Sequence, residues 1–357
     1  MKIGIVTLPF HINYGGILQA YALSRVLQRE GHEVLFIKES MGVVNRLKNT
    51  VGLQIRFIIC KISGKRLSIY EDYSKHNEIK RFVSQVLPQS INSKDAALFD
   101  AVIVGSDQVW RKWSPKWNIA HYFLDFINDK KTKKISYAAS LGTDKWTLDD
   151  DETKIVNKLI KGFCGVSVRE SDAISICQKF LKVTPEVVLD PTLLLSKQDY
   201  SEIGACEEKL NYIVSFILDN NYQKQEVSCK IGALLKQEVI ALGPEMQAGL
   251  DAGKGLLGIE AWMKIYSQAN FVITDSFHGS AFAINFNIPF VVLSNSTRGQ
   301  SRLVSLLNTF NLSDRLIKDE KQVDNIIAKP IDWESVNNVI SRLRGYSEDF
   351  LKRCLKK

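Results

Sequence analysis

Residues 271–281 (FVITDSFHGSA) carry Asp275, Ser276 and His278 out of an apolar strand into a tight turn, and a helix pattern begins at once. A helix start leaves backbone N–H groups unpaired and presents the positive end of the helix dipole, a natural seat for an anion. His278 at that point can touch such an anion or exchange a proton with a group attached to it. The run fits equally a helix cap with a satisfied histidine beside it, and taken alone it does not choose.

Four other stretches have residue types suited to chemistry. Asn13-Tyr14-Gly15-Gly16 follows the first strand, and adjacent glycines let a backbone approach a ligand closely. It lacks the G-x-G-x-x-G spacing, so a dinucleotide reading is weak; Gln19, one turn on, either reaches the cleft or stays on the surface. In Gly105-Ser106-Asp107-Gln108-Val109-Trp110, after the strand AVIV, polar side chains suit sugar hydroxyls and Trp110 suits a ring face; the alternative is a helix cap with Trp110 in the core. Arg169 leaves the strand VSV and can hold a phosphate or carboxylate in two-pronged fashion, or simply pair with Glu170 or Asp172 at the surface. Arg298 and Arg302 lie in a polar stretch after the last strand of the second half, expected to be a mobile loop able to close over an anion or merely to solubilise. His11, His32, His76 and His121 have no partner pattern and read as structural or exposed. No zinc-type cysteine pair, H-x-x-x-H, P-loop or G-x-S-x-G elbow occurs, so no metal site is expected.

Positioning these groups requires strands that end where they begin. Residues 2–8, 33–37, 101–104, 134–138, 165–168 and 186–189 read as strands, with a helix over 17–29 whose Ala20, Leu23 and Leu27 share a face. This is the β-α-β opening of a doubly wound sheet. A second series follows: strands at 211–217, 239–242, 271–274 and 289–293, helices at 224–236, 259–269 and 279–286. The expected organisation is α/β, with two Rossmann-like domains facing a cleft. These are 1–195, containing a basic and apolar insertion at 40–70, then 196–330, then a helix in 331–357 that crosses back to brace the first domain. Ligands in such sheets bind beyond the carboxyl ends of the strands, where all the polar turns above fall.

The chain has 357 residues and a formal charge of +8, which suits anionic partners without choosing among them. No apolar run reaches a membrane-spanning length, and residue 2 enters a strand directly without a signal-peptide pattern. Six scattered cysteines fit a reducing cytoplasm. Segment 40–70 interleaves Arg46, Lys48, Arg56, Lys61, Lys65 and Arg66 with Leu53, Ile55, Phe57 and Ile62. That mixture fits a helical insertion with a solvated basic face, or an element resting on anionic lipid.

Taken together, NYGGILQAYAL, VGSDQVW, ISYAASLG, VSVRE, the turn at 189–192 (LDPT) and VITDSFHGSAFA resemble the polysaccharide pyruvyl transferase family, in order and spacing from Ile3 to about Leu307. The resemblance implies two Rossmann-like domains in a GT-B-type arrangement. It implies transfer of a carboxyethylidene group from phosphoenolpyruvate, a co-substrate, onto a sugar diol, with no further cofactor. It implies His278 at the donor site, as acid or phosphate ligand, and Arg169 as a donor clamp, with Ser276 and Gly279 at the same helix start. Many members carry Arg-Leu before that histidine; here Ser276-Phe277 stand instead, so a cation is expected from Arg298 or Arg302. Asn13, Tyr14, Gly16, Asp107 and Gln108 are the acceptor candidates, Asp107 also as base, with Glu245 contributing from the second domain.

The acceptor expected on this reading is a sugar of a bacterial surface polysaccharide, carried on lipid at the inner face of the cytoplasmic membrane, with 40–70 as the membrane contact. Two other readings stay open. One is a GT-B glycosyltransferase using a nucleotide sugar. The other is a non-catalytic protein binding anions or nucleic acid, which the charge permits but no nucleic-acid motif supports.

Overall fold

Short apolar runs separated by helical segments cannot pair as hairpins, so successive strands return in the same direction. The computed structural model describes residues 1–10, 12–39, 77–243, 257–295, 300–317 and 319–356. Its first sheet holds seven parallel strands: β1 (Lys2–Val6), β2 (Glu33–Lys38), β3 (Ser90–Asn92), β4 (Ala101–Val104), β5 (Lys133–Ala139), β6 (Phe163–Val168) and β7 (Glu186–Val187). They lie in the order β3-β2-β1-β4-β5-β6-β7. The second sheet is also parallel: β8 (Tyr212–Phe216), β9 (Glu238–Ala241), β10 (Phe271–Thr274), β11 (Phe290–Leu293) and β12 (Leu316–Ile317), in the order β12-β11-β10-β8-β9. The longer helices are α1 (Tyr14–Arg29), α2 (Asn77–Gln85), α3 (Asp150–Ile160), α4 (Tyr222–Leu235), α5 (Ile259–Gln268), α6 (Phe277–Asn285), α7 (Gln300–Thr309) and α8 (Trp333–Leu355).

Three details depart from the sequence expectation. The first helix begins at Tyr14 rather than 17, because the Asn13 Oδ1 accepts the Gly16 N–H at 3.0 Å and caps it. The edge strands β3 and β12, too short to have a readable period, exist through pairing with β2 and β11. Arg302, expected in a mobile loop, sits on α7 and is buried, because Leu303, Leu306 and Leu307 anchor that helix in the core.

One apolar core joins the two halves. Tyr14 on α1 stacks on Trp262 of α5 (5.3 Å, 18°), and Trp262 stacks on Tyr266 (4.7 Å, 21°). Such pairs add about 0.5–1.5 kcal/mol each beyond their burial, so the cavity walls are held together rather than left hinged. Helix α8 returns to the first sheet: Ser347 Oγ accepts the Leu189 N–H at 3.0 Å, and Phe350 lies 6.3 Å from Tyr137. Among the described residues no helix is long and apolar enough to cross a membrane. The basic stretch 40–70 falls outside the described residues.

His121 is buried against Tyr122 and Phe126. Burial pushes its imidazole down to about 4, only partly opposed by Asp125. The folded chain therefore keeps His121 neutral while the unfolded chain takes up a proton below its ordinary value of 6.5. Stability is complete above that value and drains as pH falls towards about 4. Between pH 7 and 5 this costs about 2 kcal/mol. Urea unfolding at both pH values should show that loss, and His121→Phe should flatten it; an equal slope in the variant would rule His121 out as the source.

Candidate functional site

In each sheet the chain order reverses once. The reversal falls between β1 and β4 in the first and between β8 and β10 in the second. Loops leaving such neighbouring strands diverge and leave a crevice. The two crevices meet in a cavity of about 440 Å³. Asn13 and Asp107 reach it from the first reversal, Leu218 and His278 from the second.

His278 occupies the first turn of α6, one residue after the start fixed by Ser276, whose Oγ accepts the Gly279 N–H at 3.4 Å. Its ring lies directly over Gly15. A Cβ on Gly15 would stand 2.0 Å from Nδ1 and 2.8 Å from the histidine Cβ. The glycine is thus required by close approach of a side chain from the other domain. On the opposite side, Nε2 stands 3.8 Å from Asp190 Oδ2, too far for a hydrogen bond, and has no partner among the described residues. Burial pushes the imidazole below its usual value; Asp190 pulls it up, Arg169 pushes it further down, and Asp107 and Arg302 act more weakly in opposite senses.

Asp190 is the buried hub. Its Oδ2 accepts from Arg169 Nη1 at 2.7 Å and from Ser106 Oγ at 2.8 Å, and its Oδ1 accepts from the Thr192 N–H and hydroxyl at 3.0 and 2.7 Å. Burial alone would raise this carboxyl, but the Arg169 guanidinium, followed by His278, holds it at about 2. Arg169 also lies 4.0 Å over the Phe277 ring. It stands behind Phe277 and does not line the cavity. Arg169 is therefore neither a surface partner of Asp172 nor, in this arrangement, a direct contact for a cavity ligand. Among the described residues the cation lining the cavity is Arg302, whose guanidinium burial pushes down to about 10 with help from Arg169.

Asp107, also lining the cavity, has a left-handed backbone (φ 72°), which Asp tolerates better than most residues, at a cost of about 1 kcal/mol. Its carbonyl accepts the N–H groups of Val109 and Ser140, which holds that conformation. Its Oδ2 accepts from Asn13 Nδ2 at 3.2 Å. The cavity lining thus holds both an amide–carboxylate pair and an imidazole.

Other candidates fare differently. Tyr14 lines the cavity, but its hydroxyl donates to the Leu257 carbonyl at 2.8 Å. Gln108 lines it, with Oε1 accepting from Arg111 at 2.7 Å. Gly16 and Gly279 pack behind the wall, against Asn13 and Thr274. Gln19 Nε2 donates to Thr7 and the Gly16 carbonyl, and its Oε1 is buried without a hydrogen-bond partner among the described residues. Asp275 braces the loops: it accepts from the N–H groups of Leu218 and Asp219 and from Lys224 and Asn295. Trp110 is not a ring platform; it is buried, stacked on Phe123, with its N–H on the Tyr122 carbonyl. Arg298 and Glu245 fall outside the described residues.

Among the lining residues that escaped the sequence reading are Trp113 and Trp117. The available signal was two tryptophans in the polar run RKWSPKW, where no strand or helix period calls for them. A strong prediction attaches to Gly15. Gly15→Ala must displace the His278 ring, and a shift of about 1 Å costs on the order of 10²-fold in any reaction that uses it. Steady-state rates and circular dichroism check this; an unchanged rate would show that the ring does not act.

A family model for polysaccharide pyruvyl transferases matches residues 13–297 of the chain. No curated protein matches it. Among solved structures it is similar to Arabidopsis thaliana UGT89C1 complexed with UDP-L-rhamnose, at 8% identity and a TM-score of 0.52, covering 99% of each chain. It also overlaps the Methanocaldococcus jannaschii UDP-GlcNAc 2-epimerase in complex with UDP-GlcNAc and UDP, at 11% identity and a TM-score of 0.49, covering 97% of this chain and 100% of that one. The likeness to UGT89C1 shows the fold: two Rossmann-like domains of the GT-B type.

Proposed function

Because the chain belongs to the polysaccharide pyruvyl transferase family, we propose that it moves the carboxyethylidene group of phosphoenolpyruvate onto two hydroxyls of one sugar, forming a pyruvate ketal. The observation that carries this reading is the placement of His278. It sits at the start of α6 and lines the same cavity as the Asn13–Asp107 pair.

The donor is an anion, and the first turn of α6 with Arg302 supplies N–H groups and a cation for it. In the empty site burial keeps His278 low in proton affinity. A bound phosphate or carboxylate favours the charged imidazole, so donor binding itself loads the acid. A proton from His278 then adds to the donor methylene carbon, making C2 electrophilic. A sugar hydroxyl attacks C2 and gives its proton to Asp107, which lines the same cavity. The C2–O bond to phosphate breaks, phosphate leaves with its electron pair, and the neighbouring hydroxyl closes the ketal. Its proton departs with phosphate, and the Asp107 proton restores His278 through solvent. The acceptor is a sugar of a surface polysaccharide, presented on lipid at the inner membrane face.

Arg302 takes the place of the arginine that relatives carry before the histidine. Arg302→Ala should raise the KM for phosphoenolpyruvate about ten-fold or more, with Arg302→Lys recovering part of it. A donor KM unchanged in Arg302→Ala would sink that assignment.

The reading is tested by thermal shift with phosphoenolpyruvate and, in parallel, UDP-sugars. Saturation at about 100 times Kd should add about 2.7 kcal/mol of stability with phosphoenolpyruvate alone. Stabilisation only by a UDP-sugar would move the reaction to glycosyl transfer.

A further inference from the structure

The loop between β4 and β5, which carries Asp107, also brings Trp113 and Trp117, four residues apart, to the cavity lining, and the chemistry above does not use them. Trp113 is 45% exposed, one of the few large apolar side chains left open in the described chain. It is nevertheless held: its indole N–H donates to the Gln108 carbonyl at 3.3 Å, and the Arg111 guanidinium lies 4.5 Å over its ring. Arg111 is itself bonded to Gln108, the residue next to Asp107. An aromatic ring both exposed and fixed in place is a platform rather than a core residue that failed to bury. Trp117 stacks flat on Tyr122 (5.4 Å, 4°). Its indole N–H is closed to solvent and has no acceptor among the described residues.

An exposed ring face and the amide–carboxylate pair of Asn13 and Asp107, lining the same cavity, match a saccharide. Its C–H faces pack on aromatic rings and its hydroxyls supply acceptors. We propose that Trp113 and Trp117 form the acceptor-sugar subsite, with Trp113 the platform and Trp117 a second ring in its wall. They set which sugar is presented to His278. This rests on the transferase reading and deepens it.

The test is a glycan array probed with the full chain as wild type, Trp113→Ala, Trp113→Phe and Trp117→Phe. Phosphoenolpyruvate thermal shifts are recorded on the same proteins. Because Trp113 is exposed, its variants should keep the wild-type melting temperature. Array binding should fall about ten-fold in Trp113→Ala and survive in Trp113→Phe. Trp117→Phe replaces the indole with a smaller ring and so reshapes that wall, and should change which glycans bind. The donor-induced shift should be the same in all four proteins. Binding retained in Trp113→Ala, or a wild type that binds no glycan, would overturn the proposal. If Trp113-dependent glycan binding occurs without any phosphoenolpyruvate shift, the subsite stands and the donor reading fails. If phosphoenolpyruvate stabilises the wild type but glycan binding ignores Trp113, the donor reading stands and the subsite fails.

Discussion

Replacing His278 with alanine should lower kcat by about 10²–10⁴-fold, the usual contribution of a positioned acid–base group, with little change in stability. The second half of that expectation comes from the structure. The Nε2 of His278 has no hydrogen-bond partner among the described residues, so truncation orphans no neighbour's donor or acceptor. The ring is also held partly against its own burial penalty. Phosphate release dependent on both substrates, followed beside urea unfolding, separates catalysis from folding. The phosphoenolpyruvate-induced thermal shift should shrink in the same variant. A His278→Ala enzyme within a few-fold of wild type would leave the imidazole as packing against Gly15 and nothing more.

The largest loss of stability should come from Asp190→Asn. The change keeps shape and most hydrogen bonds but removes the charge, leaving the Arg169 guanidinium buried beside a neutral amide. Breaking one side of a buried ion pair costs about 3–5 kcal/mol, and Ser106 and Thr192 lose a charged acceptor as well. Glu170 limits the loss, since its carboxylate lies 3.8 Å from Arg169 Nε. The same pair predicts behaviour in acid. The folded-state carboxyl is held at about 2 against an ordinary 3.8, so the unfolded chain binds the proton first. The contribution, about 2 kcal/mol, is complete above the ordinary value and disappears as pH falls through about 2. Unfolding curves between pH 5 and 2 should show that slope in the wild type and not in Asp190→Asn. Equal midpoints for the two proteins at pH 7 would refute the hub.

The reading of Arg169 illustrates where sequence reasoning runs out. An arginine at a strand exit is recognisable, yet its partner is Asp190, 21 positions away in the chain, and no local spacing reveals which carboxylate a guanidinium meets. Trp110 and Trp113 make the same point. Three positions apart in one loop, one is buried on Phe123 and the other is exposed in the cavity. Only the packing of the loop against residues 119–123 separates them. Arg302 was displaced by the reverse error, a polar run read as loop when its leucines placed it on a helix.

What the sequence determined by itself was everything governed by short range. Alternating apolar and helical runs set two parallel α/β sheets, because parallel strands require crossovers. Asn13 and Ser276 started their helices, because a side-chain oxygen reaches only the next turn. The motifs, in their order, identified the family. What the tertiary structure alone decided was which turns face each other. Gly15 lies against His278, Asn13 against Asp107 and Asp190 against Arg169, each pair brought together from separate strand ends. The reversals of strand order and the Tyr14–Trp262 core set those encounters. Electrostatic and steric coupling depends on distance in space, and that distance is fixed only when the sheets have packed.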